Sequence, residues 1–255
     1  MVAQWPVQAG HFAVSLEPMS TELPLSPTPR TTVTRGRNRM VSDRSELHRF
    51  LVDGLVAHIG VTVGDHPLVL PAAYAVDASG PDAGGTLYVH GSVAAGWLRQ
   101  AQGATVCVTV TEVDGLVAGR SAFHHSMNYR SAVVIGAARV VDDETERQHA
   151  LDLIVDHMIP GRSATLRPST RKELAATAVL AIPLAEASMK ARAGDPVDEP
   201  EDVAAGVWGG YVPLARVAGE PVSATDSHSD VPLDVVRRAE GLLASAGWVG
   251  SSAAG

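Results

Sequence analysis

The feature that most constrains the fold is a change of period at Gly54. Up to that point Leu47, Phe50 and Leu51 recur at helical spacing over Arg44–Asp53, behind Ser42-Asp43 as the helix N-cap. Beyond it the apolar residues alternate, and the chain reads as one short strand after another. The spacing predicts strands over residues 55–63 and 67–77, joined by the hairpin-like Gly64-Asp65-His66. Further strands are predicted over 86–90 and 104–113, the latter turning at Asp114-Gly115 into 116–118. Residues 131–141, 176–185 and 207–214 complete the set. Helices are predicted over 93–102, 144–157 and 233–246. Many short strands with few helices imply a mainly β fold, a small antiparallel barrel with peripheral helices.

Composition supports one core and narrows the function. Of 255 residues, 45% are hydrophobic and 19% charged, enough for one full domain. Aromatic residues are only 4%, so small and β-branched side chains fill the interior, and Trp97 and Trp208 stand out as bulky exceptions. A formal charge of −8 opposes nucleic-acid binding, which needs a basic face. The single cysteine, Cys107, rules out an intramolecular disulfide and a thiolate metal cluster. With no charged-then-apolar leader and no run of about 18 apolar residues, a cytoplasmic chain that neither spans nor binds a membrane is expected. Residues 1–29, rich in proline, and 247–255, rich in Gly, Ser and Ala, read as extended or mobile. The organisation expected is therefore an N-terminal segment (1–29), a barrel domain (30–216) and a C-terminal extension (217–255) with its helix at 233–246.

A dense polar cluster at residues 121–130, with His124, His125, Asn128, Tyr129 and Arg130, runs directly into a buried-looking strand, so rigid elements hold it where geometry can be fixed. His90 ends a strand beside Gly91-Ser92, where ligands are usually met. His124 and His125 are adjacent, so on a strand they face opposite sides and cannot share a metal. His149 and His157 lie two helical turns apart, about 12 Å along the axis, too far for one ion. No metal site is expected. His58, among apolar neighbours, reads as a core histidine, and Glu144, Glu146 and Arg147 as a solvated helix face. Asp195, Asp198, Glu199, Glu201 and Asp202 read as an acidic surface loop. Arg130 suits an anion contact or an ion pair with Asp142 or Glu144. Trp208 suits a core plug or, beside Gly209-Gly210, a cofactor contact.

Several motifs together resemble one family. Leu68 to Asp77, Leu87-Tyr88-Val89-His90-Gly91-Ser92, Asn128-Tyr129-Arg130-Ser131, and Val207-Trp208-Gly209-Gly210 before Val212-Pro213-Leu214 stand in the order and spacing of the flavin-nucleotide-binding branch of the pyridoxamine 5'-phosphate oxidase-like family. The similarity runs from about Arg30 to Leu214. It implies a split β-barrel and a homodimer with FMN at the subunit interface. By the same resemblance Pro71, Ala72, Ala73 and Tyr74 lie along the flavin ring, His90, Gly91 and Ser92 lead to the phosphate, and Trp208 reaches over from the partner. The chemistry implied is FMN-dependent oxidation or reduction of a small molecule at flavin N5, with His90, Tyr129 and Arg130 orienting or protonating the substrate. The closing Arg-x-His-type segment is not visible after Trp208, so pyridoxamine phosphate is not the implied substrate. One departure stands out: where relatives place Ser-Arg or Arg-Lys to hold the phosphate, this chain has Ala95-Gly96. Arg99, or Arg35, Arg37 and Arg39, could take that role. The alternative is a barrel that has lost the clamp and binds haem or another ligand.

Overall fold

A computed structural model describes residues 25–26 and 28–246. The expectations for residues 1–24, 27 and 247–255 lie outside these. Among the described residues, eleven strands form two antiparallel sheets. The larger contains β1 (Met40–Val41), β2 (Ala57–Val63), β3 (His66–Ala72), β6 (Thr105–Ala118), β7 (Ser126–Ala137), β10 (Ala187–Arg192) and β11 (Gly210–Pro213). Its order is β1-β10-β7-β6-β2-β3, with β11 paired to the far end of β6. The smaller contains β4 (Tyr74–Asp77), β5 (Thr86–Ser92), β8 (Arg139–Val140) and β9 (Thr177–Pro183), in the order β4-β5-β9-β8. Helices α1 (Arg44–Asp53), α2 (Gly96–Ala101), α3 (Glu144–Met158), α4 (Arg171–Ala176), α5 (Pro200–Ala204) and α6 (Leu233–Ala246) accompany the sheets.

The two sheets are sewn together by strands that change sheet, which makes the fold a split barrel. The stretch 67–77 is not one strand, as its apolar run predicts, but two, parted at Ala73. The stretch 131–141 likewise breaks at Ala138, which is buried and gives its N–H to Ala104 O at 2.9 Å before β8 joins the other sheet. A barrel corner needs such a break, because one strand cannot follow both sheets. The turn expected at Asp114-Gly115 is a β-bulge instead, between Val113 and Gly115. There β7 pairs one side of β6 and β11 the other, and Asp114 O accepts from Leu214 N at 3.0 Å, so the strand continues to Ala118.

Between the sheets, Leu47, Phe50 and Leu51 of α1 meet Ile59, Val108, Val110, Val134, Leu180 and Ile182. Each such burial stabilises by roughly 1.5–3 kcal/mol. A second cluster, with Ala75, Tyr88, Val141, Ala150, Ile154 and Val179, seals α3 against the outside of the smaller sheet. The Asp43 carboxylate accepts from Ser45 N and caps α1, as the sequence indicates, and Asp143 caps α3 in the same way.

Candidate functional site

The stepping residues Pro71, Ala72 and Ala73 sit where the chain leaves one sheet for the other. β3 pairs only with β2, so the other edge of its backbone is free among the described residues. Pro71 is exposed and stands opposite His58, Ala72 is half-buried, and Ala73 packs on the cluster beneath α3. Tyr74 departs from its expected role. Its side chain is fully buried, and its hydroxyl donates to Leu51 O at 2.5 Å and Gly54 O at 3.1 Å. Burial pushes its phenol well above the usual range. His157 donates from Nε2 to Gly54 O at 2.5 Å and lays its ring 4.6 Å from that of Tyr74. The Tyr74 side chain therefore fastens the end of α1 to the core and is not open to a cofactor.

The turn after β5 is built differently from a phosphate cradle. A Cβ on Gly91 would come 2.9 Å from Leu98 Cδ1, so this glycine lets α2 close on β5. Ser92 Oγ accepts from Ala94 N at 3.2 Å, Ser92 O from Ala95 N at 2.9 Å, and Ala176 O takes Val93 N at 3.0 Å. Most amides of the turn are thus already used. Ala95 has no side-chain donor, and a side chain on Gly96 would meet nothing within 4 Å. Arg99 is exposed one turn on, with no acidic partner among the described residues. His90 has a buried Nδ1 without a hydrogen-bond partner, and burial lowers its imidazole below the ordinary value, so the ring is neutral near pH 7.

Within one chain the three residues expected to act on substrate are not brought together. Tyr129 stands opposite Val113 and Arg192 on the outward face of the larger sheet. Arg130, the next residue, turns inward, as alternation demands. Its guanidinium clasps Asp114 at 2.9 and 3.1 Å and lies 5.4 Å above the Phe50 ring, so its partner is Asp114 rather than Asp142 or Glu144. His90 belongs to the other sheet, across from Val179.

Other expectations are corrected. His58 is exposed, not core, because it falls on the outward side of β2. Trp208 is 68% exposed and no core plug; its indole folds over Gly210, and Gly209 makes room for Arg120. The two glycines accommodate the chain's own side chains. His124 and His125 are not on a strand but on a short 3-10 turn and its cap. Glu146 is not on a solvated face: it accepts from Tyr88 Oη and Arg139 Nη1, both at 3.0 Å, and Arg139 also holds Asp82 at 2.8 Å. Asp198 is likewise no loose loop residue, since its side chain is fully covered and grips Arg120 at 2.7 Å. Asp114, Asp82 and Asp198 were all missed as partners because each lies beside glycine or proline or in an acidic run, where an aspartate reads as turn or solvent.

Comparison with known proteins gives the context for this arrangement. A family model described as pyridoxamine 5'-phosphate oxidase matches residues 43–191. The flavocytochrome Anf3 from Azotobacter vinelandii is similar at 32% identity and a TM-score of 0.77, over 84% of this chain and 98% of its own. The FAD and haem binding protein from Mycobacterium smegmatis is similar at 37% identity and 0.72, over 79% of this chain and 97% of its own. No curated protein matches. With its split barrel, its sheet-changing strand at Ala73 and a match over more than half its length, the chain belongs to the pyridoxamine 5'-phosphate oxidase family.

Proposed function

We propose that this protein is a flavin-dependent redox protein that also takes haem, carrying electrons between a small-molecule substrate and a second redox centre. The observation that carries this reading is that two relatives above 30% identity, matched over nearly their whole length, are described by a flavin and a haem together. Flavin and haem, alternatives on the sequence, become companions. Flavin as FMN or FAD supplies hydride and single-electron chemistry, and haem single-electron chemistry.

The residues suit such groups. The free edge of β3 at Pro71 to Ala73 offers backbone atoms and small side chains to the rim of a flat ring. Haem iron is commonly held by an imidazole, and the exposed His58 has no hydrogen bond among the described residues, whereas the Nε2 atoms of His48, His149 and His157 are engaged with Gly84 O, Asp77 and Gly54 O. Tyr129 and Trp208 both face outward, and in this reading they complete a site shared with a second copy. A homodimer is part of the proposal, its support being the uncharged outward face of β6 and β7. In this arrangement the neutral His90 accepts or returns a proton, and Arg130 keeps the strand entry in place through Asp114.

The test is the visible spectrum of freshly purified protein, with chromatography of the released flavin to separate FMN from FAD. Flavin bands with a haem Soret band are expected. A colourless, folded protein that takes up neither group on reconstitution would overturn the reading.

A further inference from the structure

In a chain of net charge −8, most arginines near an acid are paired with it: Arg30 with Glu186, Arg120 with Asp198, Arg139 with Asp82, Arg167 with Glu173. Five cations at the β1 edge of the larger sheet behave otherwise. Arg35, Arg37 and Arg39 have no side-chain partner among the described residues. Gly36, at φ +65°, turns the chain between them, so alternate residues of a basic stretch fan around one bend. The bend runs against β10, where Met40 pairs with Lys190. Lys190 Nζ donates to Arg35 O at 3.2 Å, which draws a fourth charge to the bend. Arg192, two residues along the same side of β10, is the fifth. Among the described residues its guanidinium is fixed by neutral acceptors only: Asn128 Oδ1, Gly194 O at 3.2 Å and Asp195 O at 2.9 Å. Its direction is set and its charge uncompensated.

We propose that Arg35, Arg37, Arg39, Lys190 and Arg192 form a phosphoanion site that takes the phosphate end of a nucleotide. Like charges gathered without an acid repel one another, and an anion with several oxygens relieves that repulsion while giving guanidinium groups two-pronged acceptors. The site also answers a deficit elsewhere. The turn after β5 has spent most of its amides internally and carries Ala95 and Gly96, so it holds a phosphate poorly. Arg192 lies across from Tyr129 on the outward face, beside the surface expected to meet a second copy. The phosphate belongs either to the flavin nucleotide, a form that rests on the function proposed above, or to a separate nucleotide co-substrate.

The test is calorimetric titration of the full chain with inorganic pyrophosphate at low and high salt. Binding that weakens with salt is expected, with at least a tenfold loss in the R35A/R37A/R39A variant and no change in R171A/K172A, which removes two other exposed cations. Wild-type protein that binds no pyrophosphate, a triple variant that binds it as well, or equal loss in the control variant would each overturn the site. Thermal melting checks folding. If the triple variant does not fold, Arg37→Gln alone is read, with a loss of roughly three- to fivefold expected and an unchanged affinity counting against the site. FMN and riboflavin titrations identify the source: weakened FMN with unchanged riboflavin assigns the phosphate to the flavin, and both unchanged with pyrophosphate lost assigns it to a second nucleotide. Pyrophosphate binding without any flavin binding would remove the flavin reading and leave this site standing.

Discussion

The inward and outward faces of the larger sheet are made by the same strands and obey different rules. Inward, β6 and β7 present Val106, Val108, Val110, Ala132 and Val134, all at most 2% exposed. Outward, the alternate residues are Thr105, Cys107, Thr109 and Thr111 against Ser131, Val133 and Ile135. A shallow depression of about 280 Å³ lies there, lined by Gly60, Pro67, Cys107 and Ile135 among others. The inner set is what any barrel of this size requires. The outer set carries no charge along β6 from 105 to 111, although the chain has 48 charged residues in all (20 Lys and Arg, 28 Asp and Glu) to spend on solvent. That small, uncharged face is the ground for the proposed dimer.

The difference can be broken from either side. Ile59 is fully buried on the inward side of β2, and Ile59→Ala should cost about 2–5 kcal/mol in urea unfolding. A cost below about 1 kcal/mol would mean that the inward face is not the true core. Ile135→Lys on the outward face should change the stability of the folded chain by no more than about 0.5 kcal/mol while converting a dimer to monomer in analytical ultracentrifugation. A dimer that survives the lysine would move the interface elsewhere. The smallest effect tests an imidazole kept on the inside. Burial, aided by the nearby charge of Arg238, holds His157 below its ordinary value, so the unfolded chain binds more protons than the folded one. Stability is full above about pH 6.5 and declines as the pH falls below it. His157→Gln should flatten that acid-side decline in melting temperature, within about 4 °C. An unchanged decline would shift the cause to His48 or His90, which burial lowers likewise.

The inward face was legible in the sequence because burial writes itself as period two, α1 because its cap and helical spacing coincide, and α3 and α6 because of their helical spacing. The corners were not. At Ala73 an apolar run continues unbroken while the backbone changes sheet, and at Ala138 only Arg139 interrupts it, so nothing local marks which residue turns. β10 escaped notice for a different reason: Ala187, Met189 and Ala191 do alternate with Ser188, Lys190 and Arg192, but the run is short and built of alanine and lysine, which are poor strand formers. Of the candidate site, the family motifs put forward Pro71 to Tyr74 and His90, and Tyr74 could be assigned to the core only once its hydroxyl was seen against Leu51 and Gly54. The bond from Arg130 to Asp114 spans a bulge that the sequence presents as a turn.

The open edge of β3 has a consequence for solubility. An unpaired strand invites a strand from another molecule, and repeated addition leads to aggregates. Pro67 and Pro71 occupy alternate positions of β3, opposite Thr62 and His58, with Val69 between them. Proline has no N–H to give to the ladder, so its place is where the nitrogen turns to the unpaired side. That leaves Val69 as the one donor of the three, while all three carbonyls can accept. Such an edge cannot zip to a neighbouring chain, yet it still receives hydrogen bonds from a small molecule. The two prolines keep the proposed flavin edge able to accept hydrogen bonds while closing it to fibrils.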